Sequence, residues 1–234
     1  MGGFPETRWS LVLRAASGQP EVARTALNEL LAMYADPVDR YLRATGIAPQ
    51  DVPDARQEFF LDLVGHGAMG RFDRDKTARF RSFMIGALRN HRGRAREHEM
   101  ALKRNRGQSP ASLQGLQDGE FSSGHKEPVA ASDPEREFMS GYAAALIRRA
   151  VDRLAEESAE LGRSREFEEY VAFLTSDEEP KHSQIALRLG ISGLASRTRL
   201  RRLRQHFHET VRDCVAETLV DRSDVEDELR RLLS

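Results

Sequence analysis

The sequence has few of the residues that build disulfide frameworks, metal sites or membrane spans. Its 234 residues include one cysteine, Cys214, which excludes a disulfide framework and a cysteine-based zinc site. No apolar run approaches the roughly 20 residues needed to cross a bilayer. The first ten residues lack the basic and apolar regions of a secretion signal. We therefore expect a cytoplasmic protein without membrane insertion.

Motifs of enzymes and metal centres are also missing. The seven histidines form no His-Glu-x-x-His arrangement, and neither a Gly-x-x-x-x-Gly-Lys phosphate loop nor a Gly-x-Ser-x-Gly nucleophile elbow occurs. His206 and His208 lie near Cys214 along the chain, but no fourth ligand follows at a zinc-like spacing. We expect no catalytic residue, no metal and no cofactor, and we predict that the protein is not an enzyme.

The charge of the chain is balanced as a whole but uneven along its length. A net charge of −1 gives no general indication of a nucleic-acid partner. Residues 71–106, however, carry 12 basic and 4 acidic side chains, a net +8, and residues 197–212 carry a net +5. Acidic stretches separate and flank these two blocks. Such a pattern is typical of a protein that contacts phosphates at two places, although solvated helix faces also produce charge runs.

Helical periodicity dominates the hydrophobic pattern. Apolar residues recur at three- and four-residue steps through Leu27–Leu42, Phe59–Leu63 and Phe80–Leu88. No stretch alternates apolar and polar residues for long enough to indicate a strand. The sequence therefore predicts an all-α protein.

One segment interrupts this pattern and indicates a division into domains. Residues 107–134 contain four glycines, three prolines and five serines, a composition typical of a flexible linker. The linker would separate an N-terminal helical domain, residues 1–106, from a C-terminal domain, residues 135–213. An acidic tail, residues 214–234, would follow.

The C-terminal domain is predicted to contain a helix-turn-helix within residues 183–207. Ser183 is expected to cap a short helix, and Gly190 can adopt the left-handed conformation that ends it. Ser192 is expected to cap a second helix that begins one or two residues later. A short helix, a glycine-containing turn and a second helix are the layout of a DNA-binding helix-turn-helix.

The second helix divides into an apolar stripe and a polar side. At about 100° per residue, Leu200, Leu203 and Phe207 share one side, and arginine, threonine and glutamine occupy the other. Such side chains can bond base edges and phosphates in a major groove. The predicted DNA-binding residues are Ser192, Arg197, Thr198, Arg201, Arg202, Arg204 and Gln205. An αα-hairpin with an ordinary solvated basic side is the alternative.

The N-terminal domain carries an acidic stripe followed by a basic helix. Asp51, Asp54, Glu58 and Asp62 are spaced three, four and four residues apart, on one side of a predicted helix. Because a row of carboxylates repels itself, a basic partner surface would stabilise it, although it could equally face solvent. The segment from 79 to 96 begins apolar and ends almost purely basic, so its second half projects into solvent or onto a polyanion.

These segments together resemble a known family. Leu27–Tyr41, Asp51–Phe60 and Arg79–Phe83 resemble the second domain of extracytoplasmic-function (ECF) sigma factors, which are small sigma-70-type subunits of bacterial RNA polymerase. Thr7–Val12, the helix-turn-helix and Asp227–Arg230 are similar to a subgroup with an extended N-terminus. The resemblance covers nearly the whole chain outside the linker, in the same order.

The resemblance implies a role for each segment in transcription initiation. One set would dock on the clamp helices of the largest polymerase subunit: Asp51, Asp54, Gln57, Glu58, Phe60 and Asp62. A second would hold the minus-ten promoter element and its melted strand: Arg79, Arg81, Arg89, Asn90, Arg92, Arg94 and Arg96. The helix-turn-helix residues named above would read the minus-thirty-five element. The implied partners are core RNA polymerase, promoter DNA and an anti-sigma factor or regulatory kinase.

The sequence departs from the family at three places, and alternatives stay open. His91, Arg92, Gly93 and Arg96 stand where the family has aromatic and aliphatic residues. In the family, melted bases stack on such side chains or enter pockets lined by them. Pro53 replaces an acidic residue of the stripe, and Arg199 replaces a small residue. One alternative is a stand-alone helix-turn-helix regulator that binds duplex DNA as a dimer. Another is a sigma-like scaffold that has lost promoter melting.

Overall fold

The computed structural model describes residues 20–65, 80–106, 133–176, 178–219 and 222–232. These residues form eight α-helices, three short 3-10 helices and no β-strand, which confirms the predicted all-α class. The α-helices are α1 (Pro20–Ala44), α2 (Val52–Gly65), α3 (Phe80–Arg106), α4 (Pro134–Glu160), α5 (Ser164–Tyr170), α6 (His182–Leu189), α7 (Gly193–Ala216) and α8 (Val225–Leu232). None of these helices is long and apolar enough to cross a membrane.

The start of α4 lies within the last residues of the predicted linker. The main-chain N–H of Glu135 donates to the side-chain carboxylate of Asp133 at 3.1 Å, and the N–H of Glu137 donates to the main-chain carbonyl of Asp133 at 3.0 Å. Pro134 suits the first helical position because that position needs no N–H donor. Pro134 therefore belongs to α4, and residues 107–132 of the predicted linker lie outside the described residues.

The chain divides into two compact units, and the division falls inside two helices. One unit combines Met1–Asp36 with Met139–Ser234, and the other is Pro37–Phe138. The boundaries between these two units therefore lie within α1 and α4. The division into two domains by a linker at residues 107–134 stays a prediction, because most of that segment lies outside the described residues. Composition marks flexible residues, but it carries no signal for the residue at which a long helix changes its neighbours.

The Pro37–Phe138 unit has a core built by its three main helices. The buried side chains are Val38, Tyr41 and Leu42 of α1, Val52, Phe59 and Leu63 of α2, Phe80, Met84 and Leu88 of α3, and Phe138. An ion pair between Arg56 and Asp39, 2.7 Å from Nη1 to Oδ2, joins α2 to α1. The predicted docking and minus-ten residues that are described all lie in this unit.

The other unit buries the region expected to begin an acidic tail. The side chains from Cys214 to Leu219 are all buried, and Leu219 is 2% exposed. Within this stretch the carboxylate of Glu217 accepts hydrogen bonds from Arg149 at 3.0 Å and Arg153 at 2.8 Å, both on α4. Because a buried carboxylate requires such partners, this contact joins the end of α7 to α4.

Candidate nucleic-acid interface

The turn between α6 and α7 has the geometry that the sequence predicts. Gly190 has a left-handed backbone with a φ of 65°, and the N–H of Ile191 donates to the carbonyl of Ala186 at 3.0 Å. Ser192 caps α7, because its Oγ accepts the N–H of Ala195 at 3.1 Å. This turn sets the direction in which α7 leaves α6.

The predicted cap of α6 is wrong. The helix begins at His182, one residue before Ser183, and Lys181 occupies the N-cap position without a side-chain hydrogen bond. The N–H groups of Gln184 and Ile185 donate to the carbonyl of Lys181 at 2.9 and 3.2 Å. The first turn therefore uses a main-chain acceptor, and Ser183 is exposed on the helix.

A buried polar group holds α5, α6 and α7 together. Ser196 is fully buried, and its Oγ accepts a hydrogen bond from the hydroxyl of Tyr170 at 2.9 Å. Nδ1 of His182 lies 3.0 Å from the same oxygen. Tyr170 also packs in the apolar cluster with Ile185 and Leu200. Each of the three helices thus contributes a hydrogen-bonding group to one point behind the turn.

The arginines of α7 separate into paired and unpaired groups. Arg199 pairs with Glu166, Arg204 with Glu179 and Arg212 with Glu226. The other three are exposed and make no ion pair with any described residue: Arg197, Arg201 and Arg202. These three lie within about 140° of one another around the helix. All three unpaired cations lie on the side predicted to face DNA, which also contains the paired Arg204.

The other predicted residues of this side have different surroundings. Arg204 is half-buried, and its Nε donates to the carbonyl of Phe173 at 3.2 Å, so this guanidinium stabilises the segment before α6. Thr198 is half-buried and donates to the carbonyl of Leu194 at 3.0 Å. Gln205 is exposed and donates to Glu209 at 3.1 Å. Of the predicted set, Arg197, Arg201 and Arg202 are the most available to a phosphate or a base.

The basic helix α3 carries a stripe of three arginines. Arg89, Arg92 and Arg96 lie within about 60° of one another around the helix, and all three lower the pKa of Tyr41 electrostatically. Burial dominates at this phenol, and together with Glu135 it raises the pKa above the ordinary value. The three guanidinium groups are therefore close enough to this buried tyrosine of α1 to act on it electrostatically.

Members of the predicted minus-ten set differ in their pairing. Arg89 donates to the carboxylate of Glu135 at the start of α4, whereas the exposed Arg94 and Arg96 make no ion pair among the described residues. Arg92 is half-buried, and its buried Nε has no hydrogen-bond partner among the described residues. The remaining predicted residues are Arg81, which is half-buried, Asn90, which is exposed, and Arg79, which lies outside the described residues.

The predicted docking stripe is largely exposed on α2 and the turn before it. The exposed members are Asp51, Asp54, Gln57 and Glu58. The acidic ones among them make no ion pair with any described residue. Phe60 is half-buried, with its ring 5.6 Å from that of Phe59. The start of α2 and the turn before it therefore present three unpaired carboxylates.

Asp62 lies at the end of this stripe and has a partner within the unit. Its Oδ2 accepts a hydrogen bond from Nδ1 of His91 on α3 at 2.8 Å. The imidazole also meets Phe59 edge-on, with ring centroids 5.6 Å apart. Asp62 and His91 thus join α3 to α2, and Asp62 differs from the acids before it in having a partner within the unit.

Several of these contacts could be recognised only in part from the sequence. At about 260° from Arg197, Ser196 falls on the apolar stripe of α7, and a polar residue there indicates a buried partner. Nothing in the sequence identifies that partner as Tyr170. His91 is conspicuous as a departure from the family pattern, but its contact with Asp62 depends on how α2 and α3 pack.

Comparisons with known proteins identify no relative of this chain: no protein-family model, no curated protein and no solved structure matches it. Among the described residues, no group of three or more His, Cys, Asp or Glu side chains is arranged to hold a metal ion. The candidate sites are therefore separate charged surfaces, on α2 and α3 in one unit and on α7 in the other.

Proposed function

We propose that this chain is a DNA-binding transcription protein and, within that class, an ECF-type sigma factor. It would bind core RNA polymerase and direct it to promoters, and it would contribute no chemistry of its own. The proposal combines the sequence resemblance with the surfaces described above. It places the protein in the cytoplasm, where bacterial polymerase and DNA are found.

The observation that carries the proposal is the distribution of unpaired arginines on α7. Arg197, Arg201 and Arg202 follow a capped turn, lie within about 140° of one another and make no ion pair with any described residue. The other arginines of α7 are paired with glutamates. A helix that enters the major groove needs free guanidinium groups on one side.

The acidic surface on α2 supports the contact with polymerase. Asp54 and Glu58 are exposed, unpaired among the described residues and one helical turn apart. They would dock on the basic clamp helices of the largest subunit, with Gln57 between them. The His91–Asp62 contact leaves Asp62 a positioning role behind this surface.

The basic stripe on α3 supports a contact with the minus-ten element. Arg92 and Arg96 would bind phosphates of the melted strand, and Arg89 would join them on exchanging Glu135 for DNA. Because His91 packs against Phe59, it is not available as a stacking platform. We therefore propose that this helix contacts the strand mainly through charge and that an anti-sigma factor or a kinase regulates access to it.

The experiment that tests the proposal mixes the purified full chain with bacterial core RNA polymerase. We expect a stable complex by size-exclusion chromatography, and transcripts from a genomic promoter library that are absent with core enzyme alone. Failure to form the complex would overturn the proposal. Specific binding of a dimer to duplex DNA in the absence of polymerase would favour the stand-alone regulator instead. A complex that forms but yields no transcripts would favour the sigma-like scaffold that has lost promoter melting.

A further inference from the structure

A cleft beside the predicted DNA-binding side of α7 has no role in the proposed function. It has a volume of about 530 Å³ and lies among α4, α5, α7 and the turn after α4. This volume is within the range of small-molecule sites, roughly 300–1,000 Å³. The whole cleft belongs to the unit that contains the helix-turn-helix.

The lining combines apolar side chains with cations. Leu154 and Phe167 are buried and Leu203 is half-buried, so part of the wall is apolar. Leu161 also lines the cleft and is 67% exposed, which is unusual for a leucine beside an apolar wall. A ligand with an apolar body would cover this side chain and remove it from water.

The charged lining is uneven in the same way as α7. Oε2 of Glu157 lies 3.3 Å from Nε2 of His206, and Glu166 pairs with Arg199. The remaining charged side chains are Arg163 and Arg202, which make no ion pair or side-chain hydrogen bond with any described residue. Both acids of the cleft are thus already engaged, while two guanidinium groups stay available for an anion.

We propose that this cleft binds an amphipathic organic anion, with a carboxylate or phosphate headgroup on Arg163 and Arg202 and an apolar body along Leu154, Phe167 and Leu161. Guanidinium groups bind both headgroups through the same paired N–H donors. An uncharged apolar molecule would leave both arginines without a partner. A small inorganic anion would leave the apolar wall exposed.

The cleft can bind a ligand whether or not the proposed function is right. Competition between that ligand and DNA, however, is expected only if the proposed function is right. Arg202 belongs both to this cleft and to the predicted DNA-binding side of α7. If the chain reads DNA as proposed, an anion on Arg202 competes with DNA for that guanidinium. Ligand binding without such competition would support the cleft and remove Arg202 from the DNA-binding set.

The test measures binding of octanoate and octyl phosphate to the full chain by isothermal titration calorimetry, below their micellar concentrations. Acetate and inorganic phosphate test the two headgroups without the apolar body, and octanol tests the apolar body without a charged headgroup. We expect saturable one-to-one binding of at least one amphiphile, with a Kd at least tenfold below those of the halves. The two amphiphiles distinguish a carboxylate from a phosphate headgroup.

Matched variants assign the binding to the cleft. Arg163→Ala and Arg202→Ala should each raise the Kd of the amphiphile at least fivefold. The controls Arg165→Ala and Arg201→Ala remove neighbouring arginines that do not line the cleft. They should change the Kd of the amphiphile less than twofold. Circular dichroism checks that each variant stays helical. Absence of amphiphile binding, equal binding of octanol, or equal losses in the control variants would each overturn the proposal.

Discussion

Nδ1 of His91 donates a hydrogen bond to Oδ2 of Asp62 at 2.8 Å. The sequence predicts a different role for each of these residues. Asp62 is the last acid of the predicted docking stripe, and His91 replaces a residue that would support strand melting. Their contact joins α2 to α3, so the surface proposed for polymerase and the helix proposed for the minus-ten element have a common structural support.

Replacement of His91 should loosen this support. We expect His91→Ala to lower the free energy of unfolding by about 2 kcal/mol, because it removes a hydrogen bond to a charged acceptor and the edge-on packing on Phe59. Urea unfolding followed by circular dichroism measures the change. Arg94→Ala, on an exposed position of the same helix, should change stability by less than about 0.5 kcal/mol. Equal effects of the two variants would contradict the assigned role of His91.

Charge reversal on α2 should prevent docking on polymerase. We expect Asp54→Arg with Glu58→Arg to abolish the complex with core enzyme, because two carboxylates facing a basic surface become two repelling cations. Binding is measured by fluorescence anisotropy of the labelled chain. The matched control is Glu156→Arg with Glu160→Arg, which makes the same change at the same spacing on exposed positions of α4. Unchanged binding of the α2 variant, with helicity intact, refutes the docking assignment.

Removal of one arginine from α7 should weaken DNA recognition selectively. We expect Arg201→Ala to cost about 1–3 kcal/mol in binding to the upstream promoter element and to leave core polymerase binding unchanged. Arg212→Ala is the control, because this arginine lies on the same helix but pairs with Glu226. Duplex binding is measured over a range of salt concentrations. A variant that loses DNA and polymerase binding equally would show that the domain assignment is wrong.

The buried thiol of Cys214 should make stability depend on pH in the alkaline range. Burial raises the pKa of this thiol, and Glu217 acts in the same direction, against the lowering effects of Arg153 and Arg149. The folded chain therefore retains a proton that the unfolded chain loses near pH 8.5. The stabilisation is complete below that pH and is lost as the pH rises through the folded-state pKa.

We expect the difference in unfolding free energy between the wild type and Cys214→Ala to shrink as pH rises above about 8.5. Urea titrations at several pH values measure it. Iodoacetamide at pH 8 should alkylate the native thiol far more slowly than the thiol of the chain in urea, because the reactive species is the thiolate. A constant difference in free energy across this range, or rapid alkylation of the native chain, would contradict the shift.

The local features of the helix-turn-helix region could be predicted because they depend on neighbouring residues. Gly190 ends α6 and Ser192 caps α7, and each effect acts within one helical turn. Ser183 was assigned the wrong position because several residues near a helix start can supply an acceptor, and here the carbonyl of Lys181 does so. The apolar stripe of α7 followed from periodicity, as Leu200 and Phe207 are buried.

The pairing of charged side chains could not be predicted. The sequence places arginines all along α7, but it contains no signal that Arg199 meets Glu166 while Arg201 meets no described acid. Likewise, Arg204 lies on the predicted DNA-binding side by helical angle, yet it turns to the carbonyl of Phe173. Such pairs join residues about 30 positions apart, and their choice depends on how helices cross.

The all-α class, the turn between α6 and α7, and the positions of the acidic and basic stripes can all be predicted from the sequence. These follow from periodicity, caps and composition, which act over a few residues. The tertiary structure alone decided that α1 and α4 each contribute to two units, that Glu217 is buried between Arg149 and Arg153, and which charges stay unpaired. Packing decided these features because burial and ion pairing depend on distances between segments far apart in the chain.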